Sequence, residues 1–249
     1  MEKKVALVTG AMGGLGTAIC KAFAKDGYKV VAAYHPEFDN KDEWLKEMQA
    51  DGFKDFICVS GDVSRLEDCQ AMVADAEAKA GAGIDILVNN AGITRDKFFA
   101  KMERDQWDAV INTNLDSVFN MTKQVMDGMM ERGWGRVINI SSVNGQKGAF
   151  GQTNYAAAKA GMHGFTKALA LEVAKKGVTV NTISPGYIGT KMVMAIPQEV
   201  LESKILPLIA QSRLGKPEEV AGLVAYLSSE EAAFVTGANI SINGGQHMY

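Results

Sequence analysis

Short apolar runs rich in β-branched residues alternate along this 249-residue chain with longer segments in which apolar residues recur at helical spacing. An uninterrupted apolar run of strand length is typical of a strand buried on both faces. The pattern predicts strands at 5–9, 29–34, 55–60, 84–89, 136–141, 178–183 and 239–242. It predicts helices between them, at 14–26, 41–50, 65–79, 105–132 and 153–175.

This alternation predicts an α/β fold with one doubly wound, Rossmann-type domain over residues 1–249. Its seven-stranded parallel sheet is expected to carry helices on both faces. The long stretch without a clear period begins at 184 and contains Pro185, Gly186, Gly189 and Pro197. Because long loops in compact domains are usually functional, we expect a lid over a ligand at about 184–215.

Composition limits the function classes. Hydrophobic residues make up 47% and charged residues 22% of the chain, which is typical of a globule with a large core and excludes a disordered chain. The net charge of -3 gives no overall field for nucleic acid or an anionic membrane. Cys20, Cys58 and Cys69 lie in segments predicted to be buried, so we expect reduced thiols. No targeting segment or membrane span is predicted, and a cytoplasmic location is expected.

A glycine-rich turn links the first predicted strand to the first helix, with the sequence Thr-Gly-Ala-Met-Gly-Gly-Leu-Gly at 9–16. Glycines there let the backbone approach a pyrophosphate, which the amides of the following helix would bind. The alternative is a tight turn with no ligand. A triphosphate-binding P-loop would need Lys-Ser or Lys-Thr after Gly16, where this chain has Thr17 and Ala18.

Tyr155 and Lys159 are four residues apart in a predicted helix, so they lie on one face of it. An ammonium beside a phenol stabilises the phenolate, which favours proton transfer from the tyrosine. The spacing alone is equally typical of an amphipathic surface. Ser141 and Ser142 end a predicted strand, however, and parallel sheets present the carboxyl ends of their strands to a cleft.

With these motifs in order, the chain resembles the short-chain dehydrogenase/reductase family over essentially its whole length. The family pattern Thr-Gly-x-x-x-Gly-x-Gly matches 9–16, its Asn-Asn-Ala-Gly matches 89–92, and its Pro-Gly followed by Thr matches 185–190. The family's catalytic Asn, Ser, Tyr and Lys fall on Asn114, Ser142, Tyr155 and Lys159.

The resemblance implies hydride transfer from a nicotinamide to a ketone carbon while Tyr155 donates a proton to the ketone oxygen. Ser142 would hydrogen-bond that oxygen as charge develops. Lys159 would lower the pKa of Tyr155 and hold the nicotinamide ribose, and Asn114 would position a water that feeds protons through Lys159. The alternative for Asn114, inside the predicted helix 105–132, is a bond to backbone or solvent.

Further cofactor contacts are implied by the same resemblance. Asp62 would meet the adenine amine, although an N-cap-like turn is an equal alternative. Thr190 would hold the nicotinamide carboxamide, with Ile188 packing nearby. The implied cofactor-binding residues are Gly10, Met12, Gly13, Gly14, Leu15, Gly16, Tyr34, Asp62, Val63, Asn90, Ala91, Gly92, Tyr155, Lys159, Pro185, Gly186, Ile188 and Thr190.

Within the family, the stretches 141–148 and 90–96 are most similar to acetoacetyl-CoA reductases of polyhydroxybutyrate synthesis. The similarity implies reduction of acetoacetyl-CoA to (R)-3-hydroxybutyryl-CoA. The closely similar 3-oxoacyl-carrier-protein reductases of fatty-acid synthesis are the alternative. The implied substrate residues are Asp96, Ser142, Phe150, Gln152 and Tyr187, and core or lid packing is an equal alternative for the two aromatic residues.

The choice between NADPH and NADH stays open. An NAD enzyme usually has a carboxylate at the end of the second strand, where this chain has Tyr34. An NADP enzyme usually has basic residues in the glycine-rich turn or after that strand, where this chain has Gly13 and the mixed segment 35–41. The resemblance implies NADPH by default. Glu37 and Asp39 would repel its phosphate if they face it.

Four basic residues flank the predicted cleft and are candidates to hold the phosphates of coenzyme A, although each is also typical of a solvated surface: Arg95, Lys97, Lys147 and Lys191. His35, His163 and His247 have no metal-ligand spacing, so we expect surface or packing roles and no metal. The resemblance also implies a homotetramer. A non-catalytic NAD(P)-sensing module is the alternative of a different class, and it predicts loss of a catalytic residue, whereas all four are present.

Overall fold

The structure, a computed structural model, describes residues 3–248 with the exception of the Met192 side chain. Its strands are β1 (Val5–Val8), β2 (Lys29–Tyr34), β3 (Ile57–Ser60), β4 (Ile86–Asn89), β5 (Gly135–Ile140), β6 (Val178–Pro185) and β7 (Asn239–Ile242). All neighbours pair in parallel, in the order β3-β2-β1-β4-β5-β6-β7. The predicted α/β fold with a seven-stranded parallel sheet is therefore confirmed.

The helices are α1 (Gly14–Lys25), α2 (Lys41–Ala50), α3 (Leu66–Ala80), α4 (Arg104–Ile111), α5 (Ser117–Arg132), α6 (Val143–Lys147), α7 (Thr153–Val173), α8 (Lys191–Met194), α9 (Gln198–Val200) and α10 (Pro217–Ser228). Alternate side chains of each strand point to opposite faces of the sheet. Val5 and Leu7 pack with residues of α3, α5 and α7, whereas Ala6 and Val8 pack with α1, α2 and α10. The sheet thus has a buried apolar layer on each face.

The predicted helix 105–132 is wrong in one respect. The structure has α4, a π-helical turn at Asn112–Asp116 and then α5. A π turn contains one residue more than an α turn, and such turns are frequent at functional sites. Asn114 lies in this turn, and its side chain bonds to the backbone of Ile93 in a neighbouring loop. Such a tertiary contact cannot be deduced from the spacing of apolar residues.

The prediction also omitted four helices, of which α8 and α9 lie in the segment expected to be a lid and α6 and α10 lie outside it. Helix α10 buries Val220, Val224 and Leu227 against the sheet and packs closely on α1. Pro217 at its first position and Glu219, whose carboxylate accepts a hydrogen bond from the Lys216 N–H at 2.7 Å, are start signals that the sequence does carry. Helix α6 has only five residues, too few to show a period.

The segment expected to be a lid starts later than predicted, because residues 184 and 185 belong to β6. It contains α8, α9, a π turn at Leu201–Ile205 and a 3-10 turn at Leu206–Leu208. Leu201, Ile205 and Ile209 form a small apolar cluster of its own, separate from the two layers of the sheet.

Cys20 and Cys69 are buried, Cys58 is partly buried, and none of the three forms a disulfide. Burial raises the pKa of the Cys69 thiol to about 12, with a further contribution from Asp68. Between residues 3 and 248, no helix combines the length and the apolar character needed to cross a membrane.

Candidate functional site

The cleft opens where the strand order reverses, between β1 and β4, which is where open α/β sheets bind ligands. The glycine-rich turn follows β1, and residues 89–92 follow β4 directly. Thr9 joins the two segments, since its hydroxyl oxygen accepts hydrogen bonds from the backbone N–H groups of Asn90 and Ala91, both 3.0 Å long. The Asn90 amide donates in return to the carbonyls of Thr9 and Gly10, at 2.9 and 3.1 Å.

Two glycines of the turn allow backbone approaches that a side chain would prevent. A Cβ at Gly16 would overlap the Gly10 carbonyl oxygen and lie 2.8 Å from the Ala11 Cα. Gly10 has φ of +60°, and a Cβ there would lie 2.9 Å from the Ala91 Cα. The beginning of α1 is therefore packed tightly on the turn, with its free amides at the cleft.

A cavity of about 750 Å³ extends from this turn along the ends of β1, β2 and β4, a size suited to a small-molecule ligand. Most of the expected cofactor residues line it: Gly10, Met12, Gly13, Gly14, Leu15, Gly16, Tyr34, Asp62, Val63, Asn90, Ala91, Gly92 and Thr190. A Cβ at Gly14 would lie 3.3 Å from the Thr190 Cβ, so the start of α1 contacts the segment after β6. A glycine-lined cavity at a helix N-terminus fits a dinucleotide.

The other expected cofactor residues do not line this cavity: Tyr155, Lys159, Pro185, Gly186 and Ile188. Lys159 nevertheless reaches its edge, because a Cβ at Gly92 would lie 3.4 Å from Lys159 Nζ. Pro185 is the last residue of β6, and the Gly186 N–H donates to the carbonyl of Ile242 at 3.0 Å. Ile188 is buried and pairs with Gly215 across the base of the lid segment.

Ser142, Tyr155 and Lys159 come together on α6 and α7 beside the end of β5. Ser142 caps α6 and accepts a hydrogen bond from the backbone N–H of Asn144, 3.1 Å long. Tyr155 is hydrogen-bonded to Ser142. Lys159 Nζ lies 5.6 Å from the centre of the Tyr155 ring and donates to the Ile140 carbonyl at 2.8 Å. The predicted proton-donating group is thus assembled in one place.

Burial dominates the electrostatics of this group. It raises the pKa of Tyr155, a change that the hydrogen bond with Ser142 opposes and the charge of Asp96 reinforces. It lowers the pKa of Lys159 to about 7. The sequence led us to expect Lys159 to lower the pKa of Tyr155. Desolvation of the buried phenol raises this pKa instead, and a buried lysine, which itself loses charge near neutral pH, does not offset it.

Asn114 is completely buried, and its side chain lies next to Gly92, as does that of Lys159. Its side chain bonds to both backbone groups of Ile93, accepting from the N–H at 2.8 Å and donating to the carbonyl at 2.9 Å. A Cβ at Gly92 would lie 3.2 Å from Asn114 Oδ1. The hydrogen bond to backbone, which the sequence analysis gave as the alternative role of Asn114, is therefore present, and it holds the Asn114 side chain beside Lys159.

The rim of the cavity after β2 contains Tyr34, His35, Phe38 and Asp39. The His35 ring stacks on Phe38 with centres 4.4 Å apart, and Asp39 Oδ2 accepts a hydrogen bond from the His35 N–H at 2.8 Å. Asp62 accepts two hydrogen bonds from Ser64, so the turn expected as its alternative role is present while the residue also lines the cavity.

Of the expected substrate residues, Asp96, Phe150 and Gln152 lie on loops, and Gln152 connects to α6 and so to Ser142. Gln152 donates to Asp96 Oδ2 at 2.8 Å. Phe150 is 90% exposed and stacks on Phe98 with ring centres 5.8 Å apart. Tyr187 packs on the apolar cluster of the lid segment and lines a separate cavity of about 100 Å³, which reaches Ile242 and Asn243. The structure brings Asp96, Ser142 and Gln152 together and leaves Tyr187 in another cavity.

All four basic residues considered for coenzyme A are exposed, and Arg95 and Lys191 also line the large cavity. Among the histidines, His163 has a packing position in α7. Its Nε2 lies 3.0 Å from Ser141 Oγ and 3.4 Å from Ser184 Oγ. Ser141 Oγ also donates to the Lys159 carbonyl at 2.8 Å, which fastens the catalytic turn of α7 to the end of β5.

Several residues that line the cavity were not predicted from the sequence, among them Lys21, His35, Phe38 and Thr113. His35 follows the end of the second strand, a position that the sequence already marked. Thr113 reaches the cavity through the π turn, for which the sequence gives no signal. Within the described part of the chain, no group of three or more His, Cys, Asp or Glu side chains could hold a metal ion.

Comparison with known proteins agrees with this geometry. The family model for short chain dehydrogenase matches residues 4–201. The chain is 62% identical over 245 residues to nodulation protein G of Azospirillum brasilense, covering 98% of each chain. It is 58% identical over 248 residues to acetoacetyl-CoA reductase of Cupriavidus necator, covering 100% of each. It is 43% identical over 253 residues to 3-oxoacyl-[acyl-carrier-protein] reductase FabG of Vibrio cholerae, covering 100% of this chain and 99% of the relative. This chain belongs to the short-chain dehydrogenase family.

Proposed function

We propose that this protein is an NAD(P)-dependent oxidoreductase that reduces acetoacetyl-CoA to (R)-3-hydroxybutyryl-CoA. The observation that carries the proposal is the meeting of Ser142, Tyr155 and Lys159 at the edge of a glycine-lined cavity suited to a dinucleotide. The identity of 58% to an acetoacetyl-CoA reductase over the full chain supports this choice of substrate.

Bound reduced nicotinamide would supply the hydride, and the residues of the chain manage the proton. Tyr155 donates its proton to the ketone oxygen, and burial, which raises its pKa, keeps the phenol protonated at neutral pH until the charge on that oxygen develops. Ser142 donates a hydrogen bond to the same oxygen as negative charge develops. Lys159, whose pKa is about 7, can give up a proton near neutral pH and so restore that of Tyr155.

Asn114 supports the resupply of protons. Its side chain is held by the backbone of Ile93, and both its oxygen and Lys159 Nζ lie next to Gly92. A carboxamide oxygen has two lone pairs, of which the Ile93 N–H takes one. The second can hold a water against Lys159. The π turn at 112–116 puts the residue at this depth.

We propose NADH as the preferred cofactor. Asp39 lines the cavity beside Tyr34, at the end of β2 where a dinucleotide places its adenosine ribose. A carboxylate there accepts hydrogen bonds from ribose hydroxyls and repels a ribose phosphate. The hydrogen bond from His35 N–H holds this carboxylate in place.

Coenzyme A is the proposed carrier of the acyl group. Arg95 and Lys191 are exposed at the cavity, Lys147 is exposed at the end of α6, which Ser142 caps, and Lys97 is exposed on a loop, where its backbone N–H donates to the Gly151 carbonyl. A few cations beside the cleft suit the compact phosphates of coenzyme A, whereas an acidic carrier protein needs a broader basic face. The net charge of -3 supports the first arrangement.

The lid segment and the assembly complete the proposal. Residues 186–215 would close over the nicotinamide end, since Thr190 and Lys191 already line the cavity. We further propose a homotetramer. The large apolar side chains of Leu171 on α7 and Phe234 before β7 are 85% and 103% exposed, and contacts between copies would cover them.

The test is the loss of reduced-nicotinamide absorbance when the protein is mixed with acetoacetyl-CoA, followed by chiral analysis of the product. We expect turnover with NADH, a lower kcat/KM with NADPH, and the (R)-alcohol. Tight binding of NADH with no turnover of any 3-oxoacyl thioester would instead indicate the non-catalytic sensing module.

A further inference from the structure

A chain of polar side chains ends at Ser142 and joins two loops on the rim of the cleft. Gln152 Nε2 donates to Asp96 Oδ2 at 2.8 Å, across 56 residues of sequence. Asn144 Nδ2 donates to Gln152 Oε1 at 2.9 Å. The backbone N–H of Asn144 then donates to Ser142 Oγ at 3.1 Å. Gln152, which was expected to contact the substrate, therefore uses both ends of its side-chain amide in hydrogen bonds within the protein.

The charge of Asp96 fixes the orientation of the whole chain. An ionised carboxylate can only accept hydrogen bonds, so Gln152 must turn its NH₂ group toward Asp96. Its oxygen then faces Asn144, which must present its own NH₂ group. Reversing either amide would put two acceptors or two donors against each other. One surface charge thus determines how two amides are oriented.

The last bond of the chain concerns the hydroxyl of Ser142. Because the Asn144 N–H occupies a lone pair of Ser142 Oγ, the hydroxyl hydrogen does not point at that N–H and is left for an acceptor such as a reacting oxygen. Helix α6 has five residues, and so short a helix does not hold its own position. Its position depends on contacts from outside, and the bond from Asn144 to Gln152 supplies one at the residue that orients Ser142.

We propose that Asp96, Gln152 and Asn144 are positioning residues that orient the Ser142 hydroxyl, with Gln152 acting through Asn144. The inference rests on the proposed reduction of a 3-oxoacyl thioester. Kinetics distinguish this positioning role from direct contact of Asp96 and Gln152 with the substrate. Loss of positioning lowers kcat, whereas loss of a substrate contact raises KM.

The decisive experiment exchanges the amide and the carboxylate of the hydrogen bond between Gln152 and Asp96, in two steps. Gln152→Glu places a carboxylate against Asp96 and removes the donor, and we expect kcat to fall about tenfold with KM within about twofold of wild type. Adding Asp96→Asn lets the new amide donate to the new carboxylate, which still accepts from Asn144. We expect this double variant to regain kcat to within about threefold of wild type.

Two further variants serve as matched controls. Gln146→Glu makes the same chemical change on α6, where the amide faces Ser241 at 2.9 Å, and kcat should stay within about twofold of wild type. Asn144→Ser removes the side-chain bond to Gln152 and keeps the backbone N–H, so kcat should fall at constant KM. This variant introduces no charge and tests the proposal even if Gln152→Glu does not fold.

Each series is measured with acetoacetyl-CoA and with ethyl acetoacetate, a 3-oxo ester without coenzyme A. Wild type that reduces only the ester contradicts the proposed function, and the comparison of kcat values is then made on the ester. Crystal structures give a readout without turnover: Ser142 Oγ and the Asn144 nitrogen should separate in Gln152→Glu and regain their bond in the double variant. A higher KM at unchanged kcat, or a double variant no better than Gln152→Glu, would overturn the inference.

Discussion

In the cofactor half of the cleft, residues 9–16 and 89–92, main chains approach each other closely and are bonded by the side chains of Thr9 and Asn90, whereas the reacting half, residues 93–98 and 142–159, is connected by hydrogen bonds from one side chain to another. In the first, missing Cβ atoms at Gly10 and Gly16 let main chains touch. In the second, Ser142 is oriented by amides and Lys159 by a carbonyl of β5. We infer that cofactor binding depends on the shape of the backbone, so an added methyl group at Gly10 or Gly16 should weaken it. The reaction depends on the orientation of side chains, so the loss of a hydrogen bond that orients Ser142 or Lys159 should slow it.

The largest effect is expected from a change that touches only the reacting half. Tyr155→Phe keeps the ring and removes the proton donor, so turnover should fall by at least about 100-fold while NADH affinity stays within about twofold. Steady-state kinetics and fluorescence titration of NADH measure the two quantities separately. Turnover near that of wild type would disprove the assignment of Tyr155 as the acid.

The effect of burial on the pKa of Lys159, in the same half of the cleft, can be tested without substrate through the pH dependence of protein stability. The pKa of this lysine is about 7 in the folded protein, against 10.5 as its ordinary value. Between these values the unfolded chain binds more protons, so this residue makes the free energy of unfolding rise with pH, by up to about 1.4 kcal/mol per pH unit. Below the folded pKa the contribution is flat.

Lys159→Met should therefore lose this rise. Urea unfolding of the cofactor-free proteins at several pH values measures it, with the exposed Lys167→Met in the same helix as a control that should follow wild type. Parallel stability curves for wild type and Lys159→Met would contradict the lowered pKa.

The cofactor half should respond to added atoms. Gly16→Ala would push a methyl group into the Gly10 carbonyl, and we expect NADH affinity to fall at least about tenfold and Tm to drop. Gly164→Ala is the matched control, because nothing lies within 4 Å of a Cβ there and an alanine favours the helix. Equal NADH affinity in the two variants would show that backbone contact at Gly16 is not required.

The smallest expected effect concerns cofactor choice. Asp39→Asn keeps an acceptor for the His35 N–H and removes the charge at the cavity, so kcat/KM for NADPH should rise about threefold to tenfold relative to NADH. Glu37→Gln makes the same change at an exposed residue that does not line the cavity, and the ratio should stay within about twofold. The same shift in both variants would indicate a general charge effect.

The two halves also differ in what the sequence could predict. The glycine-rich turn and residues 89–92 are continuous motifs next to strong strand patterns, so their position at the cleft followed from the fold. The bond between Asp96 and Gln152 joins loops 56 residues apart, and local spacing does not encode such a contact. The break of the predicted helix 105–132 at Asn114 has the same cause, because the partner of Asn114 is the backbone of a distant loop.

The central claim is that this chain reduces the ketone of a coenzyme A thioester. It is tested most directly by measuring kcat/KM for acetoacetyl-CoA and for acetoacetyl-carrier protein side by side, with NADH. We expect a value at least about tenfold higher for the coenzyme A thioester, and a loss expressed mainly in KM when Arg95 and Lys191 are neutralised together. Equal or faster reduction of the carrier-protein thioester would contradict the account and indicate a reductase of fatty-acid synthesis.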